Sequence, residues 1–190
     1  MIPGLEIKRK IVHLATLVIP IGYGLSSERI VLGFLIPFFL VYLSVDLLRR
    51  FHPPLALLFR KYFFGRVLRE EEERNLMGST YFLFSSILTI LIFPKPIAIA
   101  SLLILILSDT AAALVGKAFG RISIFEKTLE GALAFLFTSL LIVWICPGVD
   151  RLSGSLSAFI TTLIELLPIP IDDNLTIPLV AGAIMFFGKG

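Results

Sequence analysis

Seven apolar segments crowd a chain of 190 residues, and they limit its fold more than any other feature. They cover 11–23, 30–47, 80–93, 97–115, 129–146, 153–169 and 177–187. A helix that crosses hydrocarbon needs about 20 apolar residues, with roughly 17 to 25 typical. Several of these segments are shorter, so flanking residues must complete them. Charged residues make up only 16% of the chain, against about 25% in soluble domains. With a mean hydropathy of +0.96, the expectation is an all-α, polytopic integral membrane protein of about seven transmembrane helices. One domain is expected over residues 1–190, since the length leaves little room for a soluble domain.

The basic residues set the expected orientation. Three precede the first span (Lys8, Arg9, Lys10), seven lie between 48 and 79, and three follow the fourth span (Lys117, Arg121, Lys127). That places 13 of the 17 on one side, so the N-terminus is expected to be cytoplasmic and the C-terminus outside. The stretch 48–79 mixes charged and apolar residues and reads as a basic segment lying along the membrane surface. Its EEEER run at 70–74 reads as a solvated face. No cleavable signal peptide is expected, because no small-residue cleavage site follows the first apolar run. A single cysteine, Cys146, excludes a disulfide framework. The two isolated histidines, His13 and His52, lack zinc-ligand spacing.

Against this background, Asp109 stands out in LLILILSDTAAALVGKAFG. A charge near the bilayer centre costs at least about 2.5–3.5 kcal/mol on insertion scales. Asp109 lies seven residues before Gly116, near the expected inner end of span four. That puts it roughly 10 Å below that end at about 1.5 Å per residue. It reads either as a helix-to-helix ion pair or as a metal or proton-transfer carboxylate in a wet cleft.

The next segment, GKAFGRISIFEKTLEG, points toward phosphate. Gly116 and Gly120 allow a tight turn and close approach to a ligand. Thr128 is suited to cap the fifth span, whose free N–H groups would favour an anion. Lys127 adds a cation. Glu130 would repel bare phosphate but tolerate a magnesium complex. The alternative is an ordinary basic loop with glycine caps. On the same expected face, Glu6, Arg9, Lys10 and His13 share helical spacing. RNLMGSTYF brings Arg74, and IDDNLTIP brings Asp172, Asp173 and Asn174, oxygen ligands that suit magnesium. Plain readings exist for each: a topogenic cluster, a helix cap and a polar turn. Asp46 with Arg49 and Arg50 is a weaker addition. Together they fit chemistry on a nucleotide or phosphate at the lipid–water boundary.

SDTAAALVGKAFGR…KTLEGALAF resembles the hallmark of the CTP-dependent lipid-alcohol kinases, a family that includes dolichol kinase, phytol kinase and the yeast-type diacylglycerol kinase. These are distant relatives of phosphatidate cytidylyltransferases. KRKIVH, RNLMGSTYFL, and Glu165 with IDDNLTIPL resemble three further elements of the family, in the same order along the chain. The resemblance implies transfer of the γ-phosphate of CTP to a lipid hydroxyl, with an isoprenoid alcohol such as phytol, geranylgeraniol or polyprenol as acceptor and Mg2+ as cofactor. The short chain looks closer to phytol-kinase-like prokaryotic members than to dolichol kinases. Carried onto this sequence, Asp109, His13 and Lys127 would be the catalytic groups. Arg9, Lys10, Arg74, Gly116, Lys117, Gly120, Lys127, Thr128 and Gly131 would hold the nucleotide phosphates. Asp109, Glu130, Asp172, Asp173 and Asn174 would serve the metal.

The expected location is the cell membrane of a prokaryote, with the site on the cytoplasmic face. The expected partners are CTP, the lipid alcohol and the bilayer, with no nucleic acid. Apolar helix faces leave room for a homodimer. Two other readings stand beside this one. A cytidylyltransferase acting on a lipid phosphate needs a similar site. A small transporter also carries intramembrane carboxylates, but its charges usually sit at the midplane between repeated halves.

Overall fold

The computed structural model describes residues 4–51 and 75–188, with side chains from residue 9 onward. Two helices, α1 (Gly4–Ala15) and α2 (Val18–Leu25), form one kinked stretch where a single span over 11–23 was expected. Pro20 explains the break. It has no N–H to return to the Thr16 carbonyl and its ring crowds that group. The chain tightens there instead, with i→i−3 bonds from Thr16 to His13 and from Leu17 to Leu14.

Then come α3 (Glu28–Phe51), α4 (Gly78–Ile92) and α5 (Lys95–Phe119). A short hairpin follows, β1 (Ser123–Ile124) and β2 (Lys127–Thr128), paired Ser123 with Thr128 and Ile124 with Lys127. The rest is α6 (Leu129–Ile145), α7 (Arg151–Leu166) and α8 (Asp173–Phe187). The expected surface segment falls largely on residues 52–74, outside the described residues.

Helix α5 is the hub. It packs against α2, α4, α6 and α8, and 61% of its most apolar window is buried, against 17% for α3. Within it, Ile104–Ser108 forms a π turn just before Asp109. Such turns widen a helix and re-aim the residues that follow. Ser139 of α6 anchors this one, lying 2.9 Å from Ser108 through their hydroxyls. Three other buried serines are satisfied in two ways. Ser86 and Ser101 return to carbonyls four residues back, and Ser85 reaches the Asn174 carbonyl of α8 at 2.6 Å.

The exterior is apolar. Phe34, Val41, Phe137, Leu152 and Phe187 are all more than half exposed. Contiguous apolar surface of this kind suits hydrocarbon rather than water. Among the described residues, α3 and α5 are each long and apolar enough to cross a membrane. Helices α4, α6 and α8 are apolar but shorter, at 15, 17 and 15 residues. The chain is therefore all-α with the character of a membrane protein.

Candidate active site

One end of the bundle encloses a cavity of about 1000 Å³. Its walls come from α1 (Arg9, Lys10, His13), the first turns of α4 (Ser79, Tyr81, Phe82), and the second half of α5 (Leu105, Asp109, Ala112, Gly116, Lys117). The hairpin and the start of α6 add Glu126, Lys127, Thr128 and Gly131. The end of α7 and the loop into α8 add Glu165 and residues 167–174. Elements far apart in sequence thus converge at one end of the bundle.

Asp109 sits in the cavity with its side chain 26% exposed. Lys10 Nζ donates to its Oδ2 at 2.5 Å and also approaches its main-chain oxygen at 3.4 Å. His13 Nε2 stands 3.5 Å from the same Oδ2 and makes no hydrogen bond. The His13 ring meets Phe82 edge-on, with centroids 6.0 Å apart. Asp109 is therefore ion-paired between helices, as one of its two readings had it, and it lines a polar cleft.

A second polar cluster surrounds Lys127. Its Nζ donates to Asp173 Oδ2 at 2.9 Å, lies 3.1 Å from Glu165 Oε1, and contacts the Glu165 carbonyl. Burial alone would lower the Lys127 ammonium, but Glu165 and Asp173 outweigh it and hold the group above the usual lysine value. Burial holds the Asp173 carboxyl above the usual carboxylate range, and Lys127 offsets this only in part. Lys127 is thus a clamped cation tying the hairpin to α7 and α8.

The turn expected at Gly116 is a correction, although Gly116 and Gly131 line the cavity. Gly116 lies inside α5 rather than in a turn, and its close approach is to protein. A Cβ on Gly116 would meet Thr128 Oγ1 at 2.8 Å, and one on Gly131 would meet the Ala112 carbonyl at 2.9 Å. Gly120 is pressed against Thr128 and does not line the cavity. These residues let α5 and α6 pack closely. Thr128 caps α6 as expected, accepting from Gly131 N at 3.2 Å.

The acids expected to hold metal divide. Glu130 lies outside the cavity wall, and its carboxylate accepts the backbone N–H groups of Arg121 and Ile122. Asp172 caps α8, accepting from the Asn174 backbone and side chain, each at 2.8 Å. Asp173 and Asn174 line the cavity. Among the described residues, no three of His, Cys, Asp and Glu gather closely enough to hold an ion. Lys10 pairs with Asp109, and Lys127 with Glu165 and Asp173. Arg74 lies outside the described residues, as does the Glu6 side chain.

Glu165 was not among the expected site residues, although its element was noticed. Its side chain is 6% exposed, and Oε2 is buried with no partner. The signal was available, because an acid in the apolar run SAFITTLIELLPI poses the same question as Asp109.

The chain is similar to several known proteins. The uncharacterized protein RP860 of Rickettsia prowazekii is 32% identical over 185 residues, covering 92% of this chain and 90% of the relative. CTP-dependent diacylglycerol kinase 1 of Schizosaccharomyces pombe is 26% identical, covering 95% of this chain and 92% of the relative. The probable phytol kinase 1, chloroplastic, of Glycine max is 29% identical over 64% of this chain and 47% of its own length. The chain belongs to the CTP-dependent lipid kinase family. It is accordingly an enzyme of the phosphotransferase class with an alcohol acceptor. No family model matches the chain, and no solved structure matches it.

Proposed function

We propose that this protein transfers the γ-phosphate of CTP to the hydroxyl of a membrane lipid alcohol, at a site open to the cytoplasmic face. The observation that carries the reading is the cavity itself, in which Lys10, His13 and Asp109 face Lys127, Glu165 and Asp173 at one end of an apolar bundle. Phosphoryl transfer asks mainly for positioning and charge neutralisation. Lys127 and Arg9 supply cations for the phosphates, and Lys117 stands at the exposed end of α5 beside them.

The lipid hydroxyl oxygen attacks the γ-phosphorus as the bond from that phosphorus to the β–γ bridging oxygen breaks. CDP departs, and the hydroxyl proton passes to the Asp109 carboxylate. Lys10 holds that carboxylate in place, and His13 is a second acceptor within reach. Asp109, Asp173 and Glu165 offer hard oxygen donors. Magnesium takes one or two carboxylates with phosphate and water, so these residues fit an ion that arrives with the nucleotide. That ion would neutralise charge developing on the phosphates.

An isoprenoid alcohol suits the acceptor role. Its hydroxyl rests at headgroup depth, while its tail lies along the apolar exterior. Val12, Phe82 and Leu105 line the cavity beside Asp109 and give the first carbons an apolar path. The preference for CTP rests on the relatives named for it. A seven-span arrangement with its N-terminus inside would put the cavity where cytosolic nucleotide meets lipid.

The test is steady-state turnover by purified protein in lipid–detergent micelles, with each nucleoside triphosphate against phytol, geranylgeraniol, polyprenol and diacylglycerol. Turnover with CTP and an isoprenoid alcohol supports the reading. Diacylglycerol as the preferred acceptor would correct the substrate. No transfer to any alcohol, with CDP-lipid forming from an added lipid phosphate, would replace kinase by cytidylyltransferase.

A further inference from the structure

Helix α3 supplies no residue to the cavity wall, yet it carries a polar stripe aimed at one place. Tyr42, Asp46 and Arg49 are spaced four and three residues apart, so they share a helix face. All three reach the start of α4. Tyr42 Oη lies 2.6 Å from Ser79 Oγ. Asp46 Oδ2 accepts the Met77 N–H at 3.0 Å and the Thr80 hydroxyl. Asp46 Oδ1 accepts from Arg49 Nε at 2.6 Å, and Arg49 Nη2 donates to the Asn75 carbonyl at 2.9 Å.

Asp46 is completely buried and Arg49 nearly so. Burying a charged pair carries a large desolvation cost. Away from the cavity, neutral hydroxyls also tie helices of this bundle, as at Ser108 and Ser139. The expensive tie stands at a helix start that has no capping side chain of its own, because Met77 occupies the cap position. Beyond that cap, Ser79, Tyr81 and Phe82 line the cavity. Phe82 then touches His13, and His13 stands beside Asp109.

We propose that Asp46 is a positioning residue for the transfer reaction, holding the first turn of α4 as the cavity wall opposite Asp109. The role rests on the site proposed above. The carboxylate is required because its two oxygens serve three donors. An amide has one acceptor oxygen, so it sets an N–H against either Arg49 or Met77. The wall would then shift, and a misplacement of about 1 Å can cost on the order of 100-fold in rate.

Steady-state kinetics of the full chain test this, normalised to folded protein by size-exclusion elution and near-ultraviolet dichroism. Asp46→Asn is expected to lower kcat by about 100-fold while KM for CTP changes less than about 3-fold. Thr80→Val removes the hydroxyl bond to Asp46, and Tyr42→Phe removes the hydroxyl contacts to Ser79 and Met77; each is expected to lower kcat by about 3- to 10-fold. A merely structural tie would reduce the yield of folded protein and leave its kcat intact.

A second readout needs no activity. Spin labels on Asn75→Cys and Phe119→Cys, in a Cys146→Ala background, report the separation of the α4 start from the end of α5. One narrow distance is expected with Asp46 and a broadened one with Asp46→Asn. Folded Asp46→Asn with normal kcat and an unchanged narrow distance overturns the proposal. Should Asp46→Asn fail to fold, normal kcat in both Thr80→Val and Tyr42→Phe overturns it. Inactivity of the unsubstituted protein would refute the kinase reading, while the distance measurement would still decide the brace.

Discussion

The α5–α6 crossing gives the sharpest separation of packing from ligand binding. Consider Gly116→Ala. Inside a helix, alanine is favoured over glycine by about 1 kcal/mol. Against that, the new Cβ would stand 2.8 Å from Thr128 Oγ1. That oxygen is the cap of α6, accepting from Gly131 N. Moving it aside forfeits the cap, about 1 kcal/mol, and overpacking adds roughly 1–3 kcal/mol. The net expectation is a loss of about 1–3 kcal/mol, visible as a lower unfolding temperature in detergent. Gly131→Ala meets the Ala112 carbonyl at 2.9 Å, a backbone atom that cannot rotate away, and should behave alike. KM for CTP should stay close to normal in the folded fraction of either variant. An unchanged or raised unfolding temperature, together with a clear rise in KM for CTP, would refute the packing account and return these glycines to the nucleotide.

Asp109→Asn is expected to remove turnover by at least about 100-fold while the protein still inserts and folds; near-normal turnover in a coupled assay would remove Asp109 from the mechanism. Asp173→Asn should trade activity for stability. Because burial raises the folded-state value of Asp173, its ionised form weakens the fold at neutral pH. That penalty fades as pH falls through the folded-state value and is gone below the unfolded value of about 3.9. Thermal scans should therefore show Asp173→Asn more stable at pH 7, with the difference shrinking in acid, and a less stable variant at pH 7 would contradict this. In the Cys146→Ala background, impermeant thiol reagents should reach Arg121→Cys and Ile171→Cys from the cytoplasmic side and Arg29→Cys from the opposite side. Labelling of Arg121→Cys and Ile171→Cys from different sides would break the proposed topology.

Much of the site was legible because hydrocarbon makes charge conspicuous. Asp109, Lys10 and His13 share the cavity as their helical spacing and depth suggested. Thr128 was readable as a cap because a threonine before an apolar run has a local role. The close packing at the glycines was not, since a missing Cβ does not say whether a ligand or another helix occupies the space. The clamp on Lys127 needed three distant elements to meet. The π turn before Asp109 has no local sequence signature. Asp46 and Arg49 were noticed as charges near a span end, but their partner, the first turn of α4, becomes visible only once α3 and α4 are side by side.

The central claim concerns which phosphorus moves. Purified protein in mixed micelles should be given magnesium and geranylgeraniol, with CTP labelled at the α-phosphorus in one tube and at the γ-phosphorus in another. The account predicts that only the γ label appears on the lipid, in step with release of CDP, and that Asp109→Asn stops it. With a lipid phosphate as acceptor, α label on the lipid together with pyrophosphate release would contradict the account and make the protein a cytidylyltransferase.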